Sequence, residues 1–144
     1  MSDPRDYTQG LKALGRQGGQ PGRPDSSVLE AFPNPRPGAD YTVLFDCPEF
    51  TSVCPVTGQP DFGRFTIEFA PEELCLESKS LKLYLSGFRN EGAFWEDVTN
   101  RIADDIFALL KPRWLTVIGM MNPRGGIAII ATARRGGEEP APEA

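Results

Sequence analysis

Gly63-Arg64-Phe65-Thr66-Ile67-Glu68-Phe69 decides the fold class. Phe65, Ile67 and Phe69 alternate with Arg64, Thr66 and Glu68, the period-two pattern of a strand with one face in a core and the other in water. Upstream, Tyr41-Thr42-Val43-Leu44-Phe45 is β-rich and closes at Pro48. Downstream the period changes. Leu81, Tyr84, Leu85 and Phe88 recur at helical spacing. After the break at Asn90-Glu91-Gly92, the residues Val98, Ile102, Ile106 and Leu109 form the apolar stripe of a longer helix that Pro112 ends. Trp114 to Met121 and Ile127 to Ala133 read as two more strands, joined by the turn-forming run Asn122-Pro123-Arg124-Gly125-Gly126. The order is β-β-α-α-β-β, two hairpins around two helices, an α+β domain. Four strands with helices on one face either close a core alone or leave edges that pair with other subunits in a larger barrel. The pattern allows both.

Composition narrows the chemistry. A chain of 144 residues fits one domain with a modest core. Of its 15 glycines and 14 prolines, twelve precede Asp40. Residues 1–39 carry no sustained hydrophobic period and read as a flexible arm, disordered or draped over a neighbour, with Val28-Leu29-Glu30-Ala31-Phe32 as a local anchor. The expected domain is 40–135, followed by a mobile acidic tail over 136–144. A net charge of −5 gives no support to a nucleic-acid partner. The absence of histidine excludes His-ligated metal sites and any Ser-His-Asp or Cys-His pair, and no metal is expected. Cys47, Cys54 and Cys75 are odd in number and lack a CxxC spacing, which disfavours a disulfide framework and suits a reducing cytoplasm. The first six residues show no signal-peptide core and no apolar run is long enough to span a bilayer, so a soluble cytoplasmic protein is expected.

Four clusters carry candidate chemistry. Cys47 to Phe62 reads as a polar, turn-rich loop between two strands, with Cys54 at its centre. A thiolate there is a soft nucleophile for an electrophilic carbon. Asp61 follows a Gly-Gln-Pro turn that folds it back toward Cys54, and without histidine a carboxyl group is the natural proton carrier. Cys47 and Cys75 read as packing residues. Glu77-Ser78-Lys79-Ser80-Leu81-Lys82-Leu83-Tyr84 opens the first helix, where free N–H groups with Lys79 and Lys82 on one face favour phosphate. Phe94-Trp95-Glu96-Asp97 opens the second: Glu96 can accept from an amidine-like edge and Trp95 can stack on a flat heterocycle. Pro123-Arg124-Gly125-Gly126 is a tight turn from which Arg124 can grip phosphate. Taken singly, each has an ordinary structural explanation: an inert loop, a capped helix, acids complementing a helix dipole, a hairpin turn.

Their wording and order together are specific. The Glu77–Tyr84 run resembles the signature of the NADPH-dependent 7-cyano-7-deazaguanine reductases, the nitrile reductases of queuosine biosynthesis, in their short single-module form. So do Phe50-Thr51-Ser52-Val53-Cys54-Pro55-Val56-Thr57-Gly58-Gln59-Pro60-Asp61-Phe62, Phe88-Arg89-Asn90 and Pro123–Gly126, a likeness spanning about residues 40 to 133. The resemblance implies the tunnelling fold, in which such units from several subunits join into a barrel. It also implies rings of subunits, usually stacked in pairs, with active sites between neighbours. The implied reaction is four-electron reduction of a nitrile to an aminomethyl group with two NADPH. Cys54 then forms a covalent thioimide and Asp61 supplies the proton. Leu76, Glu77, Ser78, Trp95 and Glu96 bind the substrate, and Ser78, Lys79, Lys82, Arg124 and Gly125 face NADPH. No direct nucleic-acid or membrane contact is implied. One position departs: the family's usual histidine before the glutamate corresponding to Glu96 is Trp95 here. Tryptophan keeps a flat face and one N–H donor but cannot shuttle a proton. Two other readings keep the same residues: an amidinotransferase that delivers an amine to the thioimide, and a deazaguanine-binding oligomer impaired in catalysis by Trp95.

Overall fold

The structure, a computed structural model, describes residue 7, residues 9–12 and residues 22–137. A sheet ordered β2–β3–β5–β6, antiparallel throughout, comprises β2 (Val43–Val53), β3 (Pro60–Ala70), β5 (Trp114–Met121) and β6 (Ile130–Gly136). A separate pair joins β1 (Ala31–Pro33) to β4 (Leu74–Leu76). Two helices, α1 (Ser78–Ser86) and α2 (Trp95–Leu110), lie between the hairpins in chain order, so the β-β-α-α-β-β unit stands. In β3, the residues Asp61, Gly63, Phe65, Ile67 and Phe69 point inward while Phe62 and Arg64 are exposed. The alternation therefore also directs Asp61 to the core side of the sheet.

Pro48 does not end the second strand. Cys47 pairs with Phe65 and Phe50 with Gly63, so Pro48 and Glu49 oppose Arg64 alone, a β-bulge. Proline is tolerated because β2 lies at the sheet's edge. The extra residue also reverses the side-chain parity of β2: Val43, Phe45 and Cys47 face inward before it, Phe50 and Ser52 after it. The stretch expected as a loop from Cys47 to Phe62 is thus mostly strand, and only Cys54–Gln59 turns. Cys54 N–H donates to the Gln59 carbonyl at 2.8 Å, and Gly58 N–H to the Cys54 carbonyl at 2.9 Å. Gly58 sits at φ +72°, a conformation that favours glycine.

The domain begins earlier than residue 40. Leu29 is buried, β1 pairs with β4, and the Asn34 side-chain amide donates to the Glu72 carbonyl at 2.8 Å. A three-residue strand is too short to show a period in sequence. Residues 1–6, 8, 13–21 and 138–144, the rest of the expected arm and tail, lie outside the described residues. The last strand starts at Ile130, because Arg124 and Ile127 close a tight turn before it. Among the described residues no helix is long and apolar enough to cross a membrane.

Candidate active site

The β2–β3 hairpin, the turn after β5 and the start of α2 meet at one end of the sheet. Asn122 N–H donates to the Phe62 carbonyl at 2.9 Å, which ties the Arg124 turn to β3. Val53 bonds the other side, donating to the Glu91 carbonyl at 3.1 Å and accepting from Ala93 N–H. Cys54, Asp61 and Arg124 are brought together there. Asp61 is 3 % exposed, and its Oδ1 lies 2.8 Å from Nη1 of Arg124 in an ion pair without an aligned hydrogen bond. The Thr57 hydroxyl, then the Thr57 and Val56 N–H groups and the Arg124 side chain, pull the Cys54 thiol down to about 7. Burial has the opposite effect on the other two thiols, pushing Cys47 up to about 11 and Cys75 upward as well. Of the three cysteines, the hairpin makes one a ready thiolate.

Sequence reasoning missed Thr57. Its hydroxyl three residues beyond a loop cysteine, ahead of a glycine, is the signal that was available. Arg124, expected at cofactor phosphate, lies against both Asp61 and Cys54, and Gly125 (φ +59°) shapes the exposed turn beside it.

The start of α1 builds a second region. Glu77 is buried and is the N-cap: its carboxylate accepts from the N–H groups of Lys79 and Ser80, each at 2.7 Å. Each carboxylate oxygen thus accepts one bond from the helix, and Leu76 beside it is 3 % exposed. Ser78 and Lys82 open into a groove of about 540 Å³ between α1 and β2, with Phe45, Phe50, Leu81 and Leu85 as apolar lining and Arg89 at the rim. Neither Lys82 nor Arg89 pairs with a carboxylate among the described residues. The slot thus pairs an apolar lining with two cations, the Ser78 hydroxyl and one carboxylate, Glu49, and its cations and hydroxyl are groups that could hold a phosphate. Lys79 stands half-buried one residue from Ser78.

The start of α2 corrects one expectation. Trp95 does not stand open to stack on a ligand; it is 1 % exposed, stacked on Phe65 at 5.1 Å and edge-on to Phe50 at 5.4 Å. Its indole lies over Gly63 and Gly119, where any Cβ would come within 2.8 Å of it. The buried stripe of α2 begins at Trp95 and continues through Val98, Thr99 and Ile102, the spacing of one helix face. The exposed ring here is that of Phe94, beside the exposed Glu96.

A family model described as QueF-like protein matches residues 60–140. Over 116 residues the chain is 56 % identical to the NADPH-dependent 7-cyano-7-deazaguanine reductase of Anaeromyxobacter sp. (strain K), which covers 81 % of this chain and 94 % of that one. The chain belongs to that reductase family. The family's enzyme from Desulfovibrio desulfuricans is 50 % identical over 127 residues, 87 % of this chain and 76 % of its own. Among solved structures, the archaeosine synthase QueF-Like in its apo form superposes with a TM-score of 0.62, covering 72 % of this chain and 100 % of that one. At 17 % identity that likeness shows the shared fold, the α+β tunnelling-fold unit expected from the resemblance.

Proposed function

We propose that the chain reduces the nitrile of 7-cyano-7-deazaguanine to the aminomethyl group with NADPH, through a thioimide on Cys54, in the cytoplasmic pathway to queuosine. The observation that carries this reading is the Cys54 thiol held at about 7 beside a buried carboxyl group. The names of the relatives supply the substrate and the cofactor.

Cys54 attacks the nitrile carbon as the thiolate, and Asp61 delivers a proton to the nitrogen as the sulfur–carbon bond forms. The negative charge passes from sulfur to carboxylate, and Arg124 faces both groups throughout. Glu96 accepts from the guanine-like edge, with Phe94 exposed beside it and Trp95 fixing the first turn of α2 from below. Leu76 at the end of β4, the N-cap Glu77 and Ser78 at the start of α1 contribute to the substrate site, and Glu77 also holds the helix start in place. Ser78 and Lys82 in the α1 groove, with Lys79 beside them, would hold NADPH together with Arg124 and Gly125 on the turn after β5. Bound there, NADPH supplies the hydride, two for each nitrile.

The sheet ends in open edges at β2 and β6, and Leu44, Phe62 and Ile130 are exposed on it. These edges support assembly of a barrel from several copies, which would bring one subunit's α1 to a neighbour's Cys54. The test is NADPH absorbance on addition of the nitrile. Two NADPH consumed per nitrile supports the reading, and unchanged absorbance overturns it.

A further inference from the structure

Among the described residues three buried side-chain polar atoms lack an aligned hydrogen bond, Ser52 Oγ, Asp61 Oδ1 and Trp95 Nε1, and of these residues the mechanism leaves only Ser52 without a task. Ser52, near the end of β2, is 0 % exposed and its hydroxyl has no hydrogen-bond partner. A serine hydroxyl buried without a partner is unfavourable relative to a satisfied one, a cost that alanine in that place avoids. Ser52 is the register partner of Asp61 across the β2–β3 ladder, and the bulge at Pro48-Glu49 turns it to the same, inward face. Oδ1 of Asp61 is likewise buried without an aligned hydrogen bond. Directly opposed residues on one face have Cβ atoms about 5 Å apart, so one turn of the serine side chain brings its oxygen to the carboxyl group. The Ser52 hydroxyl, without a partner, thus stands across the ladder from a buried carboxyl group that the Arg124 guanidinium pairs.

We infer that Ser52 is a positioning residue for Asp61, its hydroxyl receiving the carboxyl group in each protonation state. The inference rests on the reading of Asp61 as proton donor. When Asp61 gives its proton to the nitrile nitrogen, a negative charge appears on a group that water barely reaches. A hydroxyl can turn to donate to that carboxylate and, before transfer, accept from the carboxylic acid. Arg124 can only donate. Ser52 therefore orients the acid without fixing its charge.

The experiment follows covalent adduct formation by intact mass after mixing with 7-cyano-7-deazaguanine, in wild type, Ser52→Ala, Asp61→Asn and the double variant. Ser52→Ala is expected to slow adduct formation tenfold or more, with substrate affinity within twofold of wild type. Its Tm should stay close to that of wild type, so that the slowing is not loss of the fold. In the Asp61→Asn background the same change should slow the reaction less than twofold, since the hydroxyl acts through the missing carboxyl group. An unchanged rate in Ser52→Ala, or equal slowing in both backgrounds, overturns the assignment while wild-type adduct formation upholds the function. No adduct even in wild type overturns the function and this assignment with it.

Discussion

Nη1 of Arg124 lies 2.8 Å from Oδ1 of Asp61, and the same guanidinium faces the sulfur of Cys54. One cation on the turn after β5 therefore serves both the nucleophile at the hairpin tip and the acid on β3.

Attack needs the Cys54 thiolate, so the rate of adduct formation should rise as pH passes through about 7 and level off above it. Thr57→Val removes the largest cause of the low value, so that rise should move toward the ordinary thiol value of 9. Rates of adduct formation across pH in the two proteins check the shift.

Asp61→Asn should slow adduct formation by about a hundredfold or more, the usual contribution of a positioned general acid. Equilibrium binding of the nitrile to this variant, measured with Cys54 also changed to alanine, should stay within a fewfold of the Cys54→Ala protein. Equal loss in binding would make Asp61 a substrate ligand and not an acid.

Much of this was legible in sequence, for reasons particular residues make plain. Phe65, Ile67 and Phe69 announced β3 because alternation over seven residues is long enough to exclude a helix. Val98, Ile102 and Ile106 announced α2, although Leu110 closes the buried stripe where Leu109 was expected and is only half-buried. Pro48 misled because an edge strand absorbs a proline in a bulge, which depends on a partner strand that local sequence does not name. Trp95 misled for a similar reason. Its slot is made by Gly63 and Gly119, two glycines on different strands that only the β3–β5 pairing brings under one ring. Cys54, Asp61 and Arg124 could be named from sequence, whereas the contacts of Thr57 and Arg124 with Cys54 depend on turn geometry that local sequence does not give.

That slot gives a stability prediction. A Cβ at Gly119 would lie 2.6 Å from Cε1 of Phe65, 2.7 Å from Oγ1 of Thr99 and 2.8 Å from Nε1 of Trp95. Gly119→Ala should therefore destabilise the fold by about 1–3 kcal/mol through overpacking. Trp95→His, which restores the family's usual residue, should also lower Tm, because a smaller polar ring replaces one packed between Phe50 and Phe65. Thermal unfolding of both variants checks these signs.

Lys82 lies at the α1 groove without a carboxylate partner among the described residues. Lys82→Ala should raise the KM for NADPH by about tenfold, the loss of one charge-assisted contact, and leave thioimide formation without NADPH unaltered. Steady-state kinetics together with intact mass separate the two effects.

The account's central claim is a covalent bond from the Cys54 sulfur to the nitrile carbon. Intact mass spectrometry of the protein mixed with 7-cyano-7-deazaguanine, without NADPH, tests it most directly. The account predicts a gain of one substrate mass per chain, mapped to Cys54 and absent in Cys54→Ala. A wild-type chain that gains no mass, or a Cys54→Ala chain that gains it equally, would contradict it.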